Sequence, residues 1–181
     1  MDDADAPSLI TLPADRQLRE LEFTLSAGRP KLEGLVGLLK EHGAPATAPE
    51  YHERLAEIGS PALQRFLRGY IDLMFEWDGR WYVADYKSNT LPRYDSENVC
   101  EAVQREHYVL QGQLYSVAAH RHLQQRVLDY DPERHWGGAL FLFLRGMRGP
   151  RSAGTSVFFD QQPASLLTAI DRWLGGDDES R

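Results

Sequence analysis

The dipeptide Asp78-Gly79, set between two runs of strand-forming residues, constrains the fold of this chain more than any other feature. The runs and the turn together span residues 67–88, LRGYIDLMFEWDGRWYVADYKS. Asp-Gly between such runs is the strongest short signal for an antiparallel hairpin with a two-residue turn. The sequence therefore predicts a β-hairpin centred on this dipeptide.

A two-residue turn fixes the register of the hairpin and so predicts which side chains share a face. Trp77 then faces Arg80, and Asp72 lies directly opposite Asp85. Lys87, two residues after Asp85, projects to the same face. Two opposed carboxylates repel each other, and a divalent cation between them turns the repulsion into binding.

The triad Asp72, Asp85 and Lys87 is typical of a metal-assisted phosphodiester hydrolysis site. Carboxylate oxygens suit Mg²⁺ or Mn²⁺, and an ammonium beside the metal can orient a water or stabilise charge on a phosphate. The chain has only three lysines against seventeen arginines, so a lysine within a strand indicates a need for a compact point charge. The alternative is a solvated hairpin face with casual charge pairs, and a bulge would break the register.

The remaining elements indicate a mixed α/β domain. Residues 16–26 alternate apolar and polar side chains as a half-buried strand does, and the run ALFLFL at 139–144 is typical of a strand buried on both faces. Apolar residues at helical spacing predict one long helix over 100–127 and shorter helices over 29–42 and 164–174.

Composition and charge indicate an ordinary globular domain. Hydrophobic residues make up 42% and charged residues 26%, which excludes a fully disordered chain. The net charge of −7 is carried mostly by the ends, which we interpret as a flexible leader at 1–15 and an acidic tail at 177–181 around a single domain at 16–176. A lone Cys100 excludes a disulfide framework or a four-cysteine cluster. With no apolar run near the roughly 20 residues of a membrane helix and no secretory signal, we expect a cytoplasmic protein.

Further candidate residues come in pairs that share a strand face, a helix face or a loop: Glu20 with Glu22, Gln111 with Tyr115, and Arg145 with Arg148. The glutamates would add a third carboxylate, and the arginines would contact phosphate groups. A plain solvent-facing role is the alternative for each pair.

Four segments together resemble the RecB-type nuclease domains of the PD-(D/E)xK nuclease superfamily: GYIDLMF, WYVADYKSN, QGQLYSVAAHRHL and GGALFLFLRGM. The resemblance runs in order from about Arg19 to the terminal helix. It implies a restriction-endonuclease-like α/β core, a mixed β-sheet flanked by helices. It also implies a Mg²⁺-dependent deoxyribonuclease of the exodeoxyribonuclease V type that acts in recombinational repair of double-strand breaks. The implied partners are DNA, above all single strands, together with RecC- and RecD-like subunits and RecB helicase domains.

The resemblance also implies roles for individual residues. The metal ligands would be Asp72, Asp85 and the backbone carbonyl of Tyr86. The other residues of the implied catalytic set are Glu20, Lys87, Gln111 and Tyr115. The arginines Arg145 and Arg148 remain candidates for DNA contact.

One metal ligand of the RecB-type domains has no counterpart in this sequence. It is a histidine on a helix before the first strand, and none of the six histidines occupies that place. The sequence is therefore interpreted as a nuclease domain truncated at its N-terminus. Two alternatives stay open: a catalytically silent nuclease-like binding or assembly module, and an autonomous PD-(D/E)xK nuclease that acts without a helicase.

Overall fold

A mixed β-sheet is the framework of the protein. The computed structural model describes residues 9, 11–26, 32–42, 49–57, 67–147 and 156–175. The strands within these ranges form one sheet in the order β1-β2-β3-β4-β5. They are β1 (Gln17–Thr24), β2 (Arg68–Trp77), β3 (Arg80–Lys87), β4 (Trp136–Phe143) and β5 (Val157–Asp160). The pairing of β3 with β4 is parallel and the other pairings are antiparallel, so the predicted mixed sheet is confirmed.

Helices cover the sheet, and one of them lies over the hairpin. Those that the structure describes are α1 (Leu32–Glu41), α2 (Pro49–Glu57), α3 (Ser96–Arg105), α4 (Tyr108–Arg126), α5 (Pro132–His135) and α6 (Ala164–Gly175). Helix α4 packs against β3 and β4, and α6 packs against α1 and α4. No helix in the described ranges is long and apolar enough to cross a membrane.

The hairpin forms around the predicted turn. Asp78 and Gly79 have φ values of 49° and 73°, as a two-residue turn with two left-handed positions requires. Trp77 pairs with Arg80, and the register continues in step to the pair of Leu73 with Ala84. The predicted register is therefore confirmed between the turn and that last pair.

Two hydrophobic clusters lie on opposite faces of the sheet. The larger one, on the face toward α4, includes Ile71, Met74 and Val83. The smaller one, on the other face, includes Leu73 and Phe75. Regular alternation predicts Ile71 on the face of Leu73 and Phe75, and this prediction is wrong because β2 changes face at Asp72.

Strand β1 has an irregularity at the same level. Glu20 has a left-handed φ of 53°, and the pairs of Arg19 with Leu73 and of Leu21 with Ile71 place it across from Asp72. The regular pairing of β1 with β2 is thus interrupted at Glu20 and Asp72.

The predicted single helix over 100–127 is wrong, because the structure has two helices there. His107 adopts a left-handed φ of 57° between α3 and α4, which ends the regular hydrogen-bond pattern. The N–H groups of Glu106 and His107 close α3 by bonding to the carbonyls of Ala102 and Gln104. The break makes Tyr108 the first residue of α4.

Part of the predicted leader contacts the domain. Leu9 and Leu12 pack against the smaller hydrophobic cluster, and Gln17 donates a hydrogen bond of 2.6 Å to the carbonyl of Leu12. Residues Ala14–Arg16 form one 3-10 turn directly before β1. The predicted acidic tail at 177–181 lies outside the described residues.

Candidate active site

Strand β3 carries two charged side chains that are almost fully buried. Asp85 is 6% exposed and Lys87 is 7% exposed, and their Oδ1 and Nζ atoms are 2.8 Å apart. Alternation along the strand places both on the face toward α4, with Tyr86 between them on the opposite face. Buried charges of this kind persist only when they are paired, so the ion pair is the centre of the site.

Asp72 joins the site through the backbone of β3. Its Oδ2 accepts a hydrogen bond of 2.8 Å from the N–H of Tyr86. The predicted direct pairing of Asp72 with Asp85 is wrong at the backbone level, because the register ends at Leu73 with Ala84 and a side chain takes the next N–H group. Burial is the main cause that raises the pKa of Asp85, and the charge of Asp72 adds to the rise, so the two carboxylates still interact.

Helix α4 covers the ion pair with two polar side chains. Lys87 Nζ donates to Gln111 Oε1 at 2.7 Å, and Gln111 Nε2 donates to the Tyr115 hydroxyl at 2.7 Å. The Tyr115 ring packs edge-on against Phe23 of β1, with ring centres 5.3 Å apart. The structure thus brings the predicted pair Gln111 and Tyr115 to the carboxylate and lysine of β3.

Close packing of α4 on the sheet brings Gln111 within hydrogen-bond distance of Lys87. Gly112 lies against Phe141 of β4, and a Cβ atom there would be 3.0 Å from Phe141 Cζ. A larger residue at this position would hold α4 away from the sheet.

Tyr108 is a site residue that the sequence interpretation missed. Its ring centre is 3.6 Å from Lys87 Nζ, which is within range of a cation–π interaction. The ring also stacks on Phe141, and its hydroxyl donates to Asn89 Oδ1 at 3.0 Å. The spacing of positions 108, 111 and 115 along one helix face could have indicated it, but a helix predicted to run through His107 hid its place at the helix start.

Burial disfavours the ionised forms of both Asp85 and Lys87. It raises the pKa of Asp85, and the Lys87 ammonium works against that rise. It also lowers the pKa of Lys87, and the Asp85 carboxylate works against that fall. Burial, with the Asp85 charge, raises the pKa of Tyr115, so its hydroxyl stays protonated. The site therefore keeps a charged pair inside a poorly solvated pocket.

The other predicted residues lie around this centre or outside the described residues. Arg145 is exposed and its Nε donates to the carbonyl of Ser88 at 2.8 Å, which ties the end of β4 to the end of β3. Arg148 lies outside the described residues. Glu22 pairs with Arg68 at 3.5 Å, whereas Glu20 is exposed across from Asp72, so Glu20 is the better placed of the two glutamates.

The oxygen donors fit a hard divalent cation. Asp72 and Asp85 supply carboxylates, and the Tyr86 carbonyl belongs to the same short segment. Mg²⁺ in proteins is usually held by one or two carboxylates and keeps several waters. In the described ranges no group of three or more His, Cys, Asp or Glu side chains could hold a metal ion. The two aspartates would therefore leave the other ligand positions to water, backbone and substrate oxygens.

The mixed α/β fold is that of the PD-(D/E)xK class of nuclease domains. The family model of the PD-(D/E)XK nuclease superfamily matches residues 3–177, and the chain belongs to this superfamily. Its α/β architecture with a mixed sheet confirms the restriction-endonuclease-like fold that the sequence predicted. Nucleases of this superfamily generally use divalent metal ions.

Among individual proteins, the chain is similar to the RecBCD enzyme subunit RecB of several bacteria. It is 34% identical over 178 residues to RecB of Escherichia coli (strain K12), a match that covers 93% of this chain and 14% of that protein. It is 38% identical over 180 residues to RecB of Mycobacterium tuberculosis (strain ATCC 25618 / H37Rv), covering 87% of this chain and 16% of the relative. The resemblance to RecB is therefore confirmed, and the chain spans only about one-seventh of the length of these relatives.

Proposed function

We propose that this chain hydrolyses phosphodiester bonds of DNA in a reaction that depends on a divalent metal ion. The observation that carries the proposal is the unbroken set of contacts from Asp85 through Lys87 and Gln111 to Tyr115, with Asp72 beside it. A stability role alone does not account for this set, because a buried ion pair is often no more stabilising than apolar residues of the same volume.

Asp72, Asp85 and the Tyr86 carbonyl would hold the metal ion, with Mg²⁺ as the expected ion and Mn²⁺ as a substitute. When bound, such an ion neutralises charge on the phosphate and lowers the pKa of a coordinated water. The two aspartates are suited to this role because they bring two negative charges together on neighbouring strands, and among the described residues Lys87 is the cation paired with them.

Lys87 would supply the positive charge beside the reacting phosphate. Its ammonium donates hydrogen bonds, so it can orient the attacking water and stabilise the phosphate oxygens as charge develops on them. The water oxygen bonds to phosphorus while the bond from phosphorus to the leaving sugar oxygen breaks. Glu20 lies across from Asp72 and would accept a proton or support a water there.

Gln111 and Tyr115 would keep this geometry in place. Gln111 receives a hydrogen bond from Lys87 and gives one to Tyr115, so one side chain fixes two others. Arg145, tied to the carbonyl of Ser88, would contact a neighbouring phosphate of the strand.

We further propose that the domain works in recombinational double-strand-break repair within a larger assembly. The support is the similarity to the RecBCD enzyme subunit RecB and the small share of that protein that the chain spans. The partners would be RecC- and RecD-like subunits, and helicase domains would deliver single strands to the site. Co-elution of this chain with a RecC-like subunit from the same source on a sizing column would support the assembly.

The test of nuclease function is cleavage of end-labelled linear DNA by the purified chain. We expect cleavage with Mg²⁺ or Mn²⁺, none in EDTA, and a loss of at least 100-fold in Lys87→Ala and in Asp85→Asn. Lys40→Ala is the matched control, because Lys40 is an exposed lysine on α1 and its loss should leave cleavage unchanged.

Two results would contradict the proposal. Cleavage that persists in Lys87→Ala would assign the activity to a contaminant or another site. A folded protein that binds Mn²⁺ at no position and cleaves no DNA would favour the catalytically silent assembly module instead.

A further inference from the structure

Exposed aromatic side chains gather at the end of the sheet that carries the candidate site. Tyr70 is 55% exposed and Tyr86 is 41% exposed, so both present an open aromatic ring to solvent. Tyr86 is the residue between Asp85 and Lys87. Tyr70 lies two residues before Asp72 on the neighbouring strand.

The backbone places Tyr86 beside the reacting groups and Tyr70 two residues before Asp72. The N–H of Tyr86 is bonded to Asp72 Oδ2, so this residue cannot move independently of the carboxylate. Tyr86 points to the face opposite Asp85 and Lys87, and Tyr70 points to the face opposite the buried Ile71. Both rings therefore lie on the face away from α4, opposite the face that carries Asp85 and Lys87.

Positive charge borders the same surface. Arg145 is exposed and held by the carbonyl of Ser88, one residue beyond β3. Arg68 lies on the same face as Tyr70, two residues before it, and its side chain is 76% exposed even in its ion pair with Glu22. Exposed aromatic rings beside arginines are the surface that unpaired nucleic-acid strands bind, with bases on the rings and phosphates on the cations.

We propose that Tyr86 and Tyr70 form a stacking site for the unpaired bases of a single DNA strand whose phosphate lies at Asp72, Asp85 and Lys87. This inference rests on the proposed nuclease function and adds the way in which the strand is held. A single strand can turn its phosphate to one side of the sheet end and its bases to the other. A duplex cannot, because its bases are stacked on one another and offer no free face.

The geometry also predicts that affinity depends little on the base sequence of the DNA strand. Stacking uses the flat face that every base has, so it discriminates little between bases. We expect similar affinity for thymine and adenine strands of equal length.

The experiment is a binding titration in EDTA, so that no strand is hydrolysed. The probes are a fluorescent thymidine oligonucleotide, a duplex of equal length, and an oligonucleotide in which the central sugars carry no bases. We expect Tyr86→Ala to weaken thymidine-strand binding about 5- to 100-fold, Tyr70→Ala to weaken it less, and Tyr86→Phe to bind like the parent. Phe159→Ala is the matched control, because Phe159 is an exposed aromatic residue on β5, 37% exposed.

The abasic probe separates stacking from a general loss of structure. The parent should bind it weakly, and Tyr86→Ala should bind it as the parent does, because no base is left to stack. An equal loss for the thymidine and abasic probes, an unchanged affinity in both alanine variants, or a parent that prefers duplex would each overturn the inference.

These outcomes are distinct from failure of the nuclease proposal. Binding in EDTA requires no catalysis, so a parent that binds single strands through Tyr86 but cleaves nothing would keep the stacking site and remove the nuclease. If Tyr86→Ala weakened binding to a RecC-like subunit but left DNA binding unchanged, the tyrosines would belong to a protein interface. That result would overturn the stacking site.

Discussion

Lys87 Nζ lies 3.6 Å from the ring centre of Tyr108, and Tyr108 is in turn held by Asn89. The ammonium is thus bounded by a carboxylate from its own strand β3 and by an amide oxygen and an aromatic face from α4. An aromatic face attracts a cation without neutralising it, so the ring holds the lysine while leaving its charge for the substrate.

Tyr108→Leu should therefore lower the cleavage rate about 2- to 30-fold, because a cation–π contact is worth about 0.5–2 kcal/mol. Tyr108→Phe keeps the ring and should retain most of the activity. An activity-free measurement is available, since the chain has only three lysines. In a spectrum of ¹³C-labelled lysine, the Lys87 signal, assigned with Lys87→Arg, should carry a ring-current shift that Tyr108→Leu abolishes. A Lys87 signal that is the same in both Tyr108 variants would refute the contact.

The buried ion pair should show strong coupling in stability. Lys87→Met leaves Asp85 buried without its partner and should lower the free energy of unfolding by about 3–5 kcal/mol. The double variant Asp85→Leu/Lys87→Met should recover most of that loss, because no charge remains to be desolvated. Urea unfolding of the single and double variants in EDTA measures the loss of stability and its recovery. Losses that simply add would show that the two side chains are solvated independently.

Two helical glycines should respond oppositely to alanine. Gly37 on α1 has no atom within 4 Å of a Cβ position, so Gly37→Ala should stabilise the protein by about 0.5–1 kcal/mol. At Gly112 a Cβ would meet Phe141 at 3.0 Å, and the resulting strain of about 1–3 kcal/mol outweighs the helix gain. Gly112→Ala should also slow cleavage, because it moves Gln111 and Tyr115 away from β3. Thermal unfolding and the cleavage assay test both variants, and equal stabilisation of the two would contradict the packing argument.

Asp160 should make stability depend on pH. It is 1% exposed, accepts a hydrogen bond from Gln162, and burial raises its pKa to about 6. The folded state then binds a proton that the unfolded state has released, so stability falls as pH rises from about 4 to about 6 and stays lower above that. A shift of this size corresponds to about 3 kcal/mol.

Asp160→Asn isolates this effect. The variant keeps an acceptor for Gln162 but has no charge to bury, so it should be more stable than the parent at pH 8 and nearly equal to it at pH 4. The difference between the two urea-unfolding curves across this range removes the contribution of other titrating groups. A difference that does not change with pH would show that Asp160 does not titrate in the folded protein.

Local sequence signals predicted the parts of the site that local geometry determines. The Asp78-Gly79 turn set the hairpin register as far as Leu73 and Ala84, and from it Asp85 and Lys87 were placed on one face. The order of strands and helices indicated a mixed α/β domain, and the resemblance to the RecB-type domains implied its mixed sheet. The roles of the site residues stay predictions.

The errors arose where backbone conformation depends on tertiary contacts. Left-handed residues at Glu20 and His107 carry no dependable local signal, because neither is glycine. The first accompanies the change of face at Asp72, and the second divides the predicted long helix. Tyr108 was missed for the same reason, since its position at the start of α4 depends on the break before it.

The turn at Asp78-Gly79 also has a consequence for the order in which the protein folds. The hairpin brings Asp72, Asp85 and Lys87 together from one short segment, and hairpins close within microseconds. The parallel pairing of β3 with β4 and the docking of α4 close much longer loops and so come later. The charged groups would then first meet in water, at little cost. The free-energy cost of removing them from solvent would arise in the step in which α4 docks. A bound cation would lower that cost and so speed this step of folding.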